Sequence, residues 1–168
     1  MKKKPELTQE RLHELLDYDP KTGEFRWRVR KKRGHKAGDI AGYRTQSERW
    51  SICIDGRDYP AHQLAWFYVT GEWGRPVIDH RDGNSLNNRL SNLRVSSHSN
   101  NVANRGRPRS NTSGLKGAFF DRRRGHWTAE ITKDGRRYYL GSFATAEDAH
   151  SAYAAKAREL VGEFARTK

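Results

Sequence analysis

The stretch from Val77 to Asn101, VIDHRDGNSLNNRLSNLRVSSHSNN, decides how the rest of the chain is read. It opens on the pair Asp79-His80 and carries six asparagines among few apolar residues. Asparagine favours turns and caps because its short amide competes for local backbone groups, so a polar loop is the plain expectation. The Asp-His head points to chemistry as well. Hydrolysing a phosphodiester under one hard cation needs oxygen ligands, a base for the water and a scaffold that holds both. Asp79, His80 and a later Asn supply those groups. In a regular strand Asp79 and His80 would face opposite ways. RDGN follows at once, so a bend is expected to bring both toward one cleft. The return run LNNRLSNLRV is expected to turn Leu90, Leu93 and Val95 inward, with Asn92 bracing the connecting loop through amide-to-backbone bonds. Ser97 is placed to cap a following helix, on which Asn101 and Asn104 share a face.

Composition limits the partners. A chain of 168 residues, 34% hydrophobic and 32% charged, suits one domain or two small ones with a modest core and a very polar surface. A net charge of +13 and a pI near 10.2 point first to nucleic acid and then to an anionic membrane surface. No apolar stretch approaches the roughly 20 residues needed to span a bilayer. The lysine-rich start is not followed by a signal-peptide core, so a cytoplasmic protein with no membrane partner is expected. The single cysteine, Cys53, excludes an internal disulfide and a Cys-based zinc cluster.

Outward from the motif, LTQERLHELLDY has helical spacing behind Thr8, and a helix is expected at about 8–17. Alternating Phe25, Trp27 and Val29 read as a strand. RWSICIDGRDYP reads as a hairpin about Asp55-Gly56, closed by Pro60. AHQLAWFYVTG follows as a helix burying Leu64, Ala65 and Tyr68 and ended by Gly71. The basic run Arg28–Lys36 is open between a solvated flank and a phosphate-contacting edge. NRGRPRSNTSG has no periodicity and reads as a linker. Beyond it, three extended runs with turns at RRRG and KDG precede an alanine-rich helix capped by Thr145.

The string AHQLAW, VTGEW and DHRDGNSLNNRLSNLRVSSHSNN, over about residues 61–104, resembles the HNH endonucleases, the ββα-metal nucleases, in the branch found in phage and intron-borne homing enzymes. The resemblance implies that His80 is the general base and Asp79 a metal ligand. It makes Asn92 the middle Asn that fixes the loop, and Asn101 the last letter of the motif and a second ligand. Asn100 is the neighbour that a one-residue slip would exchange with Asn101. Asn in place of His at that last position favours oxygen-ligated Mg²⁺ or Mn²⁺ over zinc. Asn87 and Asn88 are expected to be turn residues. Trp66 and Trp73 are expected in the core. His62 is open between binding a phosphate and packing.

GAFFDRRRGHWTAEI, RRYYLGSF and TAEDAHSAYAAKARELVGEFA resemble the DNA-binding domain of the APETALA2/ethylene-response-factor type. That resemblance implies a three-stranded sheet entering the major groove, with Arg122, Arg124, Trp127, Arg137 and Tyr139 toward DNA and Leu140, Phe143, Ala149 and Tyr153 in the core. The expectation is thus an α+β protein. An HNH nuclease domain spans 1–104, a linker 105–112, and a DNA-binding domain 113–168 is built as three antiparallel strands on one helix. The implied activity is metal-dependent cleavage of double-stranded DNA by a homing-type endonuclease, with sequence recognition by the C-terminal domain and no obligatory protein partner. A DNA-binding transcriptional regulator with a vestigial HNH scaffold is the alternative of another class. An RNA-binding accessory protein would leave the Asp-His string unexplained.

Overall fold

Thr8 starts the first helix, its hydroxyl accepting from the Arg11 N–H at 3.2 Å, and the chain that follows builds a mixed helix-and-strand protein. The computed structural model describes residues 6–30, 34–73, 77–104, 106 and 111–167. They fall into two compact units, Met1–Val95 and Ser96–Lys168. No helix among the described residues is long and apolar enough to cross a membrane.

In the first unit, α1 (Gln9–Leu15) runs directly into β1 (Leu16–Asp19). β1 pairs antiparallel with β2 (Glu24–Trp27), from Leu16 opposite Trp27 to Asp19 opposite Glu24. The helix is shorter than the leucine spacing implied because Leu16 and Tyr18 alternate inward as strand residues. Val29 lies beyond β2 and is exposed.

β3 (Tyr43–Arg44), β4 (Trp50–Ile54) and β5 (Arg57–Pro60) form a second sheet in that order. Asp55 and Gly56 join β4 to β5 with φ values of 49° and 77°. Two successive left-handed residues make the tight hairpin that the Asp-Gly pair foretells. α2 (Ala61–Thr70) ends at Gly71, whose φ of 74° lets its N–H reach the Phe67 carbonyl at 2.9 Å. The helix buries Ala61, His62, Leu64, Ala65 and Phe67. Tyr68, expected inside, is only half-buried, and Trp66 and Trp73 likewise flank the core. Leu12, Leu16, Phe25, Ile52, Ile54 and Leu64 form its centre. A two-stranded ribbon, β6 (Val77–His80) with β7 (Leu93–Ser96), carries the motif.

The second unit takes in α3 (His98–Ala103), a helix that the sequence reading grouped with the nuclease domain. Most of the expected linker lies outside the described residues, as do 31–33 of the basic run. β8 (Ala118–Asp121), β9 (His126–Lys133) and β10 (Arg136–Phe143) make one antiparallel sheet with β9 central. α4 (Ala146–Val161) starts at Thr145, whose hydroxyl accepts from the Asp148 N–H at 3.1 Å. Small side chains set how close this helix lies. Ala118, Ala129, Ala149 and Ala157 surround Ile131 and Tyr153 in the core of the unit.

Gly117 permits that packing. Its φ is +79°, and a Cβ there would come within 2.1 Å of Tyr153 ring atoms. Gly117→Ala is therefore expected to destabilise the second unit by about 3 kcal/mol, from overpacking and left-handed strain together. Urea denaturation of the full chain checks this.

Candidate active site

β6 presents Ile78, Asp79 and His80 in succession, and all three are buried. Asp79 meets Arg94 of β7, whose Nε and Nη2 donate to its Oδ2 at 3.2 and 3.0 Å. The two side chains are only 7% and 5% exposed. Arg94 was not anticipated. Val95 was expected inward but is exposed, and Arg94 takes the inside because a buried carboxylate needs a cationic partner. The Asn-Leu-Arg string was its signal in the sequence.

Beyond His80 the chain turns, with the Gly83 N–H on the His80 carbonyl at 2.9 Å. The loop is closed by Asn92, which uses both ends of its amide. Oδ1 accepts from the Asp82 N–H at 3.1 Å, while Nδ2 donates to Asp82 Oδ1 at 3.0 Å and to the Asn87 carbonyl at 2.8 Å. Asp82 also accepts from the Asn84 N–H at 2.8 Å and from Asn87 Nδ2 at 2.7 Å. Burial alone would raise its carboxyl pKa, but the hydrogen bonds from Asn84, Asn87 and Asn92 outweigh it and hold the group below the usual range.

Asn88, read from sequence as a turn residue, has a more specific place. It is buried, and its Oδ1 lies 3.1 Å from His80 Nε2. An amide oxygen only accepts, so His80 Nε2 is the donor in this contact. The first hairpin supports this arrangement. The Tyr18 hydroxyl donates to the Asn88 carbonyl at 2.7 Å, Arg89 Nε to the Lys21 carbonyl at 2.8 Å, and the Leu90 N–H to the Pro20 carbonyl at 3.1 Å. Gly23, with φ +79°, sits so near that a Cβ would come within 2.5 Å of Arg89 N and Asn88 C.

His62, on α2, stacks edge-to-face on His80 with ring centroids 5.1 Å apart. Burial first, then the nearby His80 and Arg49, push its pKa down to about 3. Of the remaining expected residues, Asn101 lies on α3 in the second unit. Ser97 Oγ accepts from the Asn100 N–H at 3.1 Å, capping that helix as expected. Asn100 is occupied: its Oδ1 accepts from Lys133 Nζ at 2.6 Å.

On the sheet of the second unit, Arg137 and Tyr139 stand opposite Thr132 and Glu130 on the face away from α4. Arg137 is held by Glu130, and the Tyr139 hydroxyl bonds Ser142 Oγ at 2.8 Å. Arg122 and Arg124 are exposed in the β8–β9 turn. Trp127 departs from the expectation. Its position alternates with Ala129 and Ile131, so it packs on the helix-facing core beside Phe120, ring centroids 5.1 Å apart.

The model of the HNH endonuclease family matches residues 59–103, which span α2, the ribbon and α3. Protein 3.8 of Escherichia phage T7 is 42% identical over 89 residues, 53% of this chain and 73% of that protein. The chain belongs to the HNH endonucleases. An uncharacterized HNH endonuclease of Acanthamoeba polyphaga mimivirus is 34% identical over 88 residues, but the chain covers only 44% of its length. Among solved structures, that of DNA binding and cleavage by the HNH homing endonuclease I-HmuI aligns at 25% identity with a TM-score of 0.42, over 54% of this chain and 51% of that one.

HNH nucleases generally use a divalent metal. Among the described residues no three His, Cys, Asp or Glu side chains gather to hold one, and Cys53 is exposed. Of the motif's two carboxylates, Asp82 is engaged by Asn84, Asn87 and Asn92, so the motif offers Asp79 with amide oxygens. That oxygen-rich set fits a hard ion.

Two predictions follow from this HNH site. Asn88→Ala and Gly23→Ala should each lower DNA cleavage on the order of 10²-fold by loosening His80, while DNA binding is retained; single-turnover nicking and gel-shift titrations measure both. His62 stays neutral when folded but takes a proton near pH 6.5 when unfolded. It therefore contributes stability that is present above about pH 6.5 and lost as pH falls toward 3, at up to about 1.4 kcal/mol per pH unit. His62→Phe should flatten that limb of the stability–pH curve in urea titrations.

Proposed function

We propose that this HNH endonuclease is a homing-type enzyme that hydrolyses a phosphodiester of double-stranded DNA with His80 as general base, using Mg²⁺ or Mn²⁺. The observation that carries the reading is the His80–Asn88 contact, because an amide oxygen that accepts from Nε2 orients the buried imidazole with Nδ1 as the nitrogen to take a proton. His80 takes the proton of the attacking water at Nδ1, and Asn88 keeps the ring oriented through Nε2. The Asn92–Asp82 network holds the loop so that the base does not drift. Asp79 would hold the ion, and Arg94 keeps the Asp79 carboxylate aligned. Asn101 keeps the ligand role given by the motif's spacing, a role favoured by the engagement of Asn100 with Lys133. The cation supplies charge stabilisation for the phosphate being cut.

Sequence recognition is assigned to the second unit, by its resemblance to the APETALA2/ethylene-response-factor domains. The open sheet face with Arg137 and Tyr139 and the turn with Arg122 and Arg124 are the surfaces proposed to meet DNA. Trp127 supports the sheet from behind.

Plasmid nicking with and without EDTA tests the chemistry. His80→Ala is expected to lower nicking by about 10²–10⁴-fold while binding persists. Nicking by that variant at the wild-type rate, or full activity in EDTA, would overturn the mechanism. For recognition, Arg122→Ala and Arg124→Ala should each reduce the salt dependence of binding by about 0.9 in the log–log slope if each contacts one phosphate. A salt titration of binding reads that slope directly.

A further inference from the structure

We infer that His62 is a second imidazole of the nuclease site, whose Nδ1 takes its hydrogen-bond partner from the DNA, at a phosphate beside the bond being cut. The inference rests on the reading of His80 as the base. Among the described residues, His62 Nδ1 is the one buried side-chain nitrogen or oxygen with no hydrogen-bond partner. Buried polar atoms are almost always paired, and leaving one unpaired is costly. Phenylalanine would fill the same space against His80 without that cost. The residue is 8% exposed, yet its ring touches the proposed base.

Its surroundings favour an anion. His62 lies in the first turn of α2, where Pro60 offers no side-chain cap and no acidic residue follows. The unsatisfied amides and the positive end of a helix are complementary to phosphate. Arg49 is close enough to disfavour a positive charge on the ring. A neutral imidazole in that setting keeps one N–H, and with the proton on Nδ1 it donates to a phosphate oxygen.

The test compares His62→Phe with His62→Asn in the full chain. Phenylalanine keeps the ring and loses the N–H; asparagine loses the ring but presents an N–H at about the distance of Nδ1 from the backbone. Single-turnover nicking of plasmid DNA with Mg²⁺ is expected to fall at least about tenfold in His62→Phe, one hydrogen bond's worth, and to be largely restored in His62→Asn. The reverse order, Phe active and Asn impaired, would show that His62 only packs and would overturn the inference. A second measurement does not depend on turnover or on the variants folding. The ¹⁵N resonances of the His62 ring in the wild-type chain are followed as a short duplex is added without metal. A shift at Nδ1 is expected, and an unmoved Nδ1 at saturating duplex would overturn the assignment. If the wild type nicks no DNA, the endonuclease mechanism above falls, while the resonance still decides His62.

Discussion

The buried pair of Asp79 and Arg94 is the constraint around which the motif is arranged. Two charges taken out of water are tolerated only with good geometry, and removing one partner from such a pair costs roughly 3–5 kcal/mol. Two donors from one guanidinium on a single carboxylate oxygen meet that demand. They also tie β6 to β7, the two strands that carry Asp79 and lead away from Asn92. Once the ribbon is set by this pair, His80 has a defined starting point, and the loop from Arg81 to Asn92 must close over a fixed span. The ionic pair thus serves position more than stability.

Closure is done by amides. Asn92 and Asp82 lock the loop from inside, and Tyr18, Pro20, Lys21 and Gly23 hold it from outside. This explains the abundance of short polar side chains in one stretch. Each is a local clamp that a longer or apolar side chain would not replace, and Asn84, Asn87, Asn88 and Asn92 all have hydrogen-bond duties within the loop or toward His80.

Much of this was legible in the residues. The Asp55-Gly56 hairpin, the Gly71 helix stop and the caps at Thr8, Ser97 and Thr145 follow from chemistry within a few positions, which is why they could be read directly. What could not be read depends on partners distant in sequence. Arg94 had no place in the expected site until Asp79 was found against it, and with Arg94 buried Val95 is exposed rather than inward. Asn88 looked like any turn asparagine until His80 was found against it. The family resemblance placed Trp127 toward DNA, but strand alternation with Ala129 and Ile131 packs it against the core. The support of the loop by the first hairpin joins positions about seventy residues apart and leaves no pattern in either segment alone.

That hairpin bears on how the nuclease can be moved between proteins. The region shared with the family begins at residue 59, so a graft or a minimal enzyme designed on the motif alone would discard Tyr18, Lys21 and Gly23. The transplanted segment would retain every residue named in the motif while its Asn-Asn-Arg turn lost the surface it rests on. The portable unit is therefore the whole body back to α1, and descendants that shed the hairpin would need another element pressed against the same turn.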